Sequence, residues 1–107
     1  MNTQLLIGAK ETPASGGKTF DRLNPITGEC ATRAAAASVE DANLAASAAA
    51  IAFPAWAEMG PSARRALLNK AADALEAKAA EFTSAMMEET GATAAWAGFN
   101  VAFAAGI

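Results

Sequence analysis

The C-terminal stretch GATAAWAGFNVAFAAGI, residues 91–107, contains no charged residue. Its larger side chains recur at three- and four-residue spacing, which would place them on one stripe of a helix: Trp96, Phe99, Asn100, Phe103 and Ile107. No capping glycine with a polar exit, basic last turn or proline closes the pattern, so we expect the chain to be part of a larger protein. The run is shorter than the ~20 residues that span a bilayer. It therefore favours a buried helix of a larger domain over a self-contained bundle or a membrane segment.

The composition limits the classes of protein to which this chain can belong. Hydrophobic residues make up 53% of the 107 residues and charged residues 18%. Much of the apolar share is alanine, which predicts closely packed helices around a thin core. The net charge of -3 and the absence of a basic cluster argue against nucleic acid or an anionic membrane as partners. One cysteine excludes an internal disulfide, and the N-terminus does not resemble a signal peptide, so we expect a cytoplasmic protein.

The first third of the chain alternates short apolar runs with turn residues, which is typical of strands. We predict strands at residues 4–8, 19–23 and 29–35. Residues 10–18, KETPASGGK, are predicted to form a surface loop that links the first two strands as a hairpin-like pair. The GGK in this loop lacks the glycine spacing and the Ser/Thr of a phosphate-binding loop.

Helical periodicity begins after residue 36. Ser38 is predicted to cap a helix while Asp41 reaches back to it. An apolar stripe follows and predicts that one side of this helix is buried: Val39, Ala42, Ala46, Ala49, Phe53 and Trp56. Gly60 and Pro61 mark a break, and residues 61–89 form one long helix or two nearly collinear ones that end at Gly91. The sequence thus predicts three strands at about 4–35, then three or four helices at about 38–107.

The chain offers few groups that could carry out chemistry. Cys30 is the strongest candidate nucleophile, but no histidine exists to activate it, and a small side chain in a strand is the simpler interpretation. Adjacent carboxylates such as Glu88 and Glu89 point in different directions on a helix, which disfavours a catalytic pair. No metal-ligand spacing and no dinucleotide-binding glycine motif occur. We therefore predict no catalytic, cofactor-binding or metal-binding residue in this chain.

Three segments together resemble a known family. The runs TFDRLNPITGE, SVEDANLAASAAAIAFPAW and PSARRALLNKAADALEAKAAEF, followed by MMEETGA, are similar in order and spacing to the start of NAD(P)-dependent aldehyde dehydrogenases. The resemblance covers essentially the whole chain, from about residue 5 to residue 107. The stretch ETGATAAWAGFNV further resembles the branch of that family that acts on aromatic aldehydes, of the salicylaldehyde and vanillin dehydrogenase type.

This resemblance implies an α/β protein with a Rossmann-like NAD domain, a catalytic domain and an oligomerisation arm, of which residues 1–107 are an incomplete N-terminal part. It implies NAD or NADP as cofactor, a small-molecule aldehyde as substrate and a homo-oligomer, dimer or tetramer. The family's nucleophilic cysteine, general-base glutamate, oxyanion-hole asparagine and cofactor glycines have no counterparts here. The isolated chain is accordingly expected to be inactive.

The resemblance also implies a role for the C-terminal stripe. The family's helix at this place lines the aldehyde entrance channel, which makes Trp96, Phe99 and Asn100 the candidate substrate-binding residues. The alternative is that these three residues only pack between helices. For the protein as a whole, the alternative function is that of a small noncatalytic helical interaction protein.

Overall fold

The computed structural model describes all 107 residues, Met1–Ile107. Short strands precede four α-helices along the chain, which confirms the predicted α/β order. The chain divides into two compact units. The first, the strand unit, comprises Met1–Arg22 and Cys30–Glu58, and the second, the helical unit, comprises Leu23–Glu29 and Met59–Ile107. None of the helices is both long and apolar enough to cross a bilayer.

Five short strands form two small sheets: β1 Asn2–Thr3, β2 Leu5–Ile7, β3 Lys10–Thr12, β4 Thr19–Leu23 and β5 Cys30–Ala35. The three-stranded sheet has the order β1-β5-β4. Strand β1 runs parallel to β5, with Asn2 opposite Arg33. The Met1 ammonium extends this pairing by donating to the Ala31 carbonyl oxygen at 2.8 Å. The predicted strands at 19–23 and 29–35 are therefore present and lie side by side.

The second sheet corrects the predicted hairpin. Strand β2 pairs antiparallel with β3, with Leu5 opposite Thr12 and Ile7 opposite Lys10, so β4 is not its partner. The connection is the two-residue turn Gly8-Ala9, whose φ angles of 58° and 62° are both positive. Such turns match the twist of the strands that they join. The predicted loop at 10–18 is consequently shorter, because its first three residues are a strand and Ser15–Gly17 form a 3-10 turn.

Helix α1, Val39–Glu58, begins as predicted. The Asp41 amide donates to Ser38 Oγ at 3.1 Å, and the Ser38 amide donates to Asp41 Oδ2 at 2.8 Å, which is a reciprocal capping box. The predicted burial of its apolar stripe is wrong within this chain. Val39 is 73% exposed and Phe53 65% exposed. Of the strands, β2 contacts this helix. Asp41 is the one buried residue of α1.

Three helices form the helical unit: α2 Pro61–Ala77, α3 Ala79–Thr90 and α4 Ala94–Gly106. Lys78 leaves helical geometry, with φ -103° and ψ 15°, so residues 61–89 form two helices and not one. Helix α4 packs against both α2 and α3. Its contact side consists of small residues, since Ala97 is fully buried and Val101 nearly so. Small side chains let helix axes approach closely, as the alanine content predicts.

The buried apolar core is thin. It consists of Ala14, Ala31, Ala97 and Val101. None of these side chains is larger than valine, so each contributes little buried area. The large apolar side chains lie mostly at the surface, and this leaves extensive apolar area for contacts with other molecules or other parts of a longer chain.

Gly91 supplies a first test of the fold. It ends α3 in the left-handed conformation, with φ 71°, and its amide donates to the Met87 carbonyl oxygen at 3.0 Å. A Cβ at this position would lie 3.2 Å from Cγ of Pro25. We expect Gly91→Ala to lower the free energy of unfolding by about 1–2 kcal/mol, the cost of left-handed geometry for a residue with a Cβ. Chemical denaturation followed by circular dichroism measures this change.

Gly98 provides the matched control, because it lies inside α4 and a Cβ there would meet nothing within 4 Å. Gly98→Ala is expected to raise the free energy of unfolding by about 0.5–1 kcal/mol, since alanine is the better helix former. Equal effects of the two substitutions would show that the backbone conformation of Gly91 does not matter.

Candidate functional site

The candidate site is carried by helix α4, whose first turn is fixed by Thr93. Thr93 has extended backbone angles, φ -71° and ψ 153°, and its Oγ1 accepts a hydrogen bond from the Trp96 amide at 3.3 Å. Its carbonyl oxygen accepts from the Ala97 amide at 2.9 Å. A threonine in this position satisfies an amide that the helix leaves unpaired. The cap therefore fixes the start of the helix and, with it, the position of Trp96 in the first turn.

The two sides of α4 have different compositions. Ala97 and Val101 point towards α2 and α3, whereas the aromatic residues emerge on the other side of the helix. Trp96, Phe99 and Phe103 are 56%, 55% and 59% exposed. All three rings are thus largely accessible on the surface of the helical unit.

These three side chains form a continuous surface, which we call the ring stack (Trp96, Phe99 and Phe103). The centroids of Trp96 and Phe99 are 5.6 Å apart with an angle of 23° between the ring planes. Those of Phe99 and Phe103 are 5.7 Å apart at 16°. Both pairs have the offset geometry that aromatic rings prefer, worth about 0.5–1.5 kcal/mol beyond buried area for a good pair. The stack is an exposed apolar cluster of three rings in contact.

Asn100 lies beside the ring stack and is half-buried. Its Nδ2 donates to the Trp96 carbonyl oxygen at 2.8 Å, one turn earlier in the same helix. This bond fixes the carboxamide against the helix. Asn100 is the polar group of the predicted site, and the sequence placed it correctly on the same stripe as Trp96.

Helix α4 itself contains no charged residue. It can offer stacking surface and hydrogen bonding to a ligand. It has no group that could transfer a proton or attack a carbonyl carbon. The side chains of α4 are chemically suited to binding a ligand and not to proton transfer or nucleophilic attack.

The strand unit contains an ion pair between two titratable side chains. Arg33 holds Asp21 in a two-pronged ion pair with distances of 2.7 and 2.9 Å. The Arg33 guanidinium lowers the pKa of Asp21. Cys30, next to this pair on β5, is exposed, and no group of three His, Cys, Asp or Glu side chains could hold a metal ion.

The sequence did not predict one polar cluster of the strand unit. Asp41 is 5% exposed and accepts hydrogen bonds not only from Ser38 but also from Ser15, whose Oγ lies 2.6 Å from Oδ1 and whose amide lies 3.0 Å from Oδ2. Nothing in the spacing of Ser15 and Asp41, which lie 26 residues apart, indicates this contact. Beside it, a cleft of about 480 Å³ opens between the β2–β3 hairpin and α1, lined among others by Lys10 and Leu44.

Comparison with known proteins defines the class to which this fold and surface belong. The aldehyde dehydrogenase family model matches residues 12–107. The chain belongs to the aldehyde dehydrogenase family.

Its relatives include enzymes named for aromatic aldehydes. Vanillin dehydrogenase of Pseudomonas sp. strain HR199 is 55% identical over 103 residues, which are 96% of this chain and 21% of that protein. A crystal structure of a salicylaldehyde dehydrogenase from Pseudomonas putida G7, complexed with salicylaldehyde, is 46% identical with a TM-score of 0.94, over 98% of this chain and 22% of that one.

An NAD-dependent aldehyde dehydrogenase from Sinorhizobium meliloti is 32% identical with a TM-score of 0.95, over 99% of this chain and 22% of that one. The chain thus spans about a fifth of the length of the relatives that it matches. This coverage confirms the prediction that it corresponds to part of a larger family member. The roles of Trp96, Phe99 and Asn100 stay predictions.

Proposed function

We propose that this chain forms part of a cytoplasmic enzyme that oxidises an aromatic aldehyde to the carboxylic acid with NAD. Membership of the aldehyde dehydrogenase family supports the reaction type. The names of the vanillin and salicylaldehyde relatives support the aromatic substrate. The observation that carries the proposal is the ring stack, whose exposed aromatic side chains are suited to stacking with the ring of an aromatic aldehyde.

Within that enzyme, Trp96, Phe99 and Asn100 line the channel through which the aldehyde reaches the reacting groups. The stack is assembled before any ligand arrives, because its rings already contact one another. A preorganised surface loses little conformational entropy when it binds a ligand. The contribution of this chain is therefore orientation and selectivity.

The residues of this chain do not fit a dinucleotide. The chain has no glycine-rich turn between a strand and a helix start, which is where such cofactors place their phosphates. A bound NAD or NADP would supply the hydride acceptor, and we propose that residues outside positions 1–107 bind it. The enzyme is further proposed to act as a homo-oligomer, a dimer or tetramer, as the resemblance implies.

The full-length enzyme that contains this chain provides the test of function. We expect it to reduce NAD in the presence of benzaldehyde or a substituted benzaldehyde and to release the acid, measured by the absorbance of the reduced nicotinamide and by chromatography of the product. Turnover of short aliphatic aldehydes alone, with none of an aromatic aldehyde, would refute the aromatic substrate class.

A second prediction concerns the 107 residues alone. We expect the purified chain to oxidise no aldehyde and not to bind NAD tightly, since it lacks an activated nucleophile and a phosphate-binding turn. Turnover measurements and calorimetric titration with NAD check this. Cys30→Ser is the control. If the chain oxidised benzaldehyde and this substitution abolished the activity, catalysis would be assigned to Cys30 and the prediction would be wrong.

A further inference from the structure

The orientation of the Asn100 carboxamide follows from its partner. A backbone carbonyl oxygen can only accept hydrogen bonds, so the atom of Asn100 that lies 2.8 Å from the Trp96 oxygen is the NH₂ group. The remaining atom, Oδ1, is an acceptor and cannot donate. It accepts no hydrogen bond from any residue of the chain. Asn100 therefore presents one free acceptor with a defined orientation.

This acceptor lies at the edge of the ring stack. Asn100 follows Trp96 by four residues, which places their Cβ atoms about 6 Å apart on the same side of the helix. Asn100 is half-buried, whereas Trp96 is 56% exposed. A benzene ring that stacks on Trp96 would therefore lie about one helical turn from Asn100.

We propose that Asn100 determines specificity for aromatic aldehydes that carry a ring hydroxyl group. The ring stacks on Trp96, at one end of the ring stack, and the hydroxyl donates a hydrogen bond to Oδ1 of Asn100. An aldehyde without the hydroxyl leaves this acceptor unpaired, and one with a methoxy group in its place cannot donate. The inference rests on the proposed function and goes beyond it, because it assigns one atom of the chain to one substituent of the substrate.

The chemistry of the site favours a neutral hydroxyl. Helix α4 has no cation that could stabilise a phenolate, and the partial negative charge of Oδ1 repels one. A net hydrogen bond between neutral groups corresponds to a factor of roughly 2 to 12 in an equilibrium. The expected preference is thus modest but measurable.

The experiment compares matched aldehydes with the full-length enzyme. Values of kcat/KM are measured for benzaldehyde, for the ortho, meta and para isomers of hydroxybenzaldehyde, and for the methoxy counterpart of the best isomer. The proteins are the wild type, Asn100→Leu, which removes the acceptor, and Asn100→Asp, which keeps an acceptor oxygen. The Tm of each variant is measured alongside.

We expect the wild type to prefer one hydroxybenzaldehyde over both benzaldehyde and the methoxy compound. Asn100→Leu should reduce that preference, measured as a ratio of kcat/KM values, by about 3- to 10-fold, and Asn100→Asp should keep more of the preference than Asn100→Leu.

Three results would overturn the inference: a wild type without a hydroxyl preference, a preference that survives in Asn100→Leu, or equal losses for all aldehydes together with a lower Tm. A wild type that oxidises none of these aldehydes would instead refute the proposed function itself, so the two failures are distinguishable.

Discussion

Asp41→Ala is expected to destabilise the chain more than any other exchange of a single charged residue. The carboxylate accepts hydrogen bonds from Ser15 Oγ and from the amides of Ser15 and Ser38, and it is 5% exposed. Its removal leaves those donors unpaired and takes away half of the capping box of α1. Loss of a cap alone is sufficient to lower the Tm of a domain of this size by about 5 °C or more.

Thermal unfolding followed by circular dichroism measures this effect, and Asp21→Ala serves as its control. Asp21 is also paired, but its partner Arg33 is solvent-exposed, with 56% of the side-chain surface accessible. Exposed ion pairs contribute little to stability. Similar Tm values for the two variants would mean that the buried cluster around Asp41 is no stronger than a surface ion pair.

The same cluster predicts a pH dependence with a definite sign. The hydrogen bond from Ser15 Oγ, with those from the amides of Ser38 and Ser15, lowers the pKa of Asp41 from 3.8 to about 2. Because the folded-state pKa is the lower one, this contribution to the free energy of unfolding is fully present above about pH 5 and is lost as the pH falls towards 2. Stability measured against pH should decline less steeply in that window for Asp41→Asn than for the wild type.

The second large effect is expected at Trp96 in the full-length enzyme. Trp96→Ala should lower kcat/KM for an aromatic aldehyde several-fold more than for acetaldehyde. This corresponds to a difference of about 0.5–1.5 kcal/mol in activation free energy between the two substrates. The reason is the loss of stacking at one end of the ring stack, where Trp96 contacts Phe99. Steady-state kinetics with both aldehydes, together with the Tm, measures it.

Phe82→Ala provides the matched control for Trp96→Ala. Phe82 lies on α3, is 47% exposed and is not part of the ring stack. Its truncation should affect both aldehydes alike. Were Trp96 a packing residue in the full-length enzyme, Trp96→Ala would cost about 3–5 kcal/mol of stability and leave selectivity unchanged.

Local signals in the sequence were sufficient for the helices. Ser38 and Asp41 predicted the start of α1, and Gly91 predicted the end of α3, because caps involve residues only a few positions apart. The stripe of Trp96, Phe99 and Phe103 was also placed correctly on one side of a helix. Such features can be predicted from the spacing of residues in the sequence alone.

Contacts between distant segments were not predictable in the same way. Strands β2 and β3 have three residues each, too few for an alternating pattern to be read, and the pairing of β1 with β5 joins residues about 30 positions apart. Periodicity predicted that Val39 and Phe53 share a side of α1, but it does not specify what covers that side. The hydrogen bonds from Ser15 to Asp41 belong to the same class of non-local contact.

The two sides of α4 consist of different residues, and this has a consequence for evolution. The residues that hold the helix in place, Ala97 and Val101, are distinct from the residues of the ring stack and from Asn100. If the ring stack contacts the substrate as proposed, mutations in it would alter which aldehydes are accepted with little penalty in packing against α2 and α3. A family whose members share this helix could diversify its substrates by drift along one side of α4 while selection preserves the other.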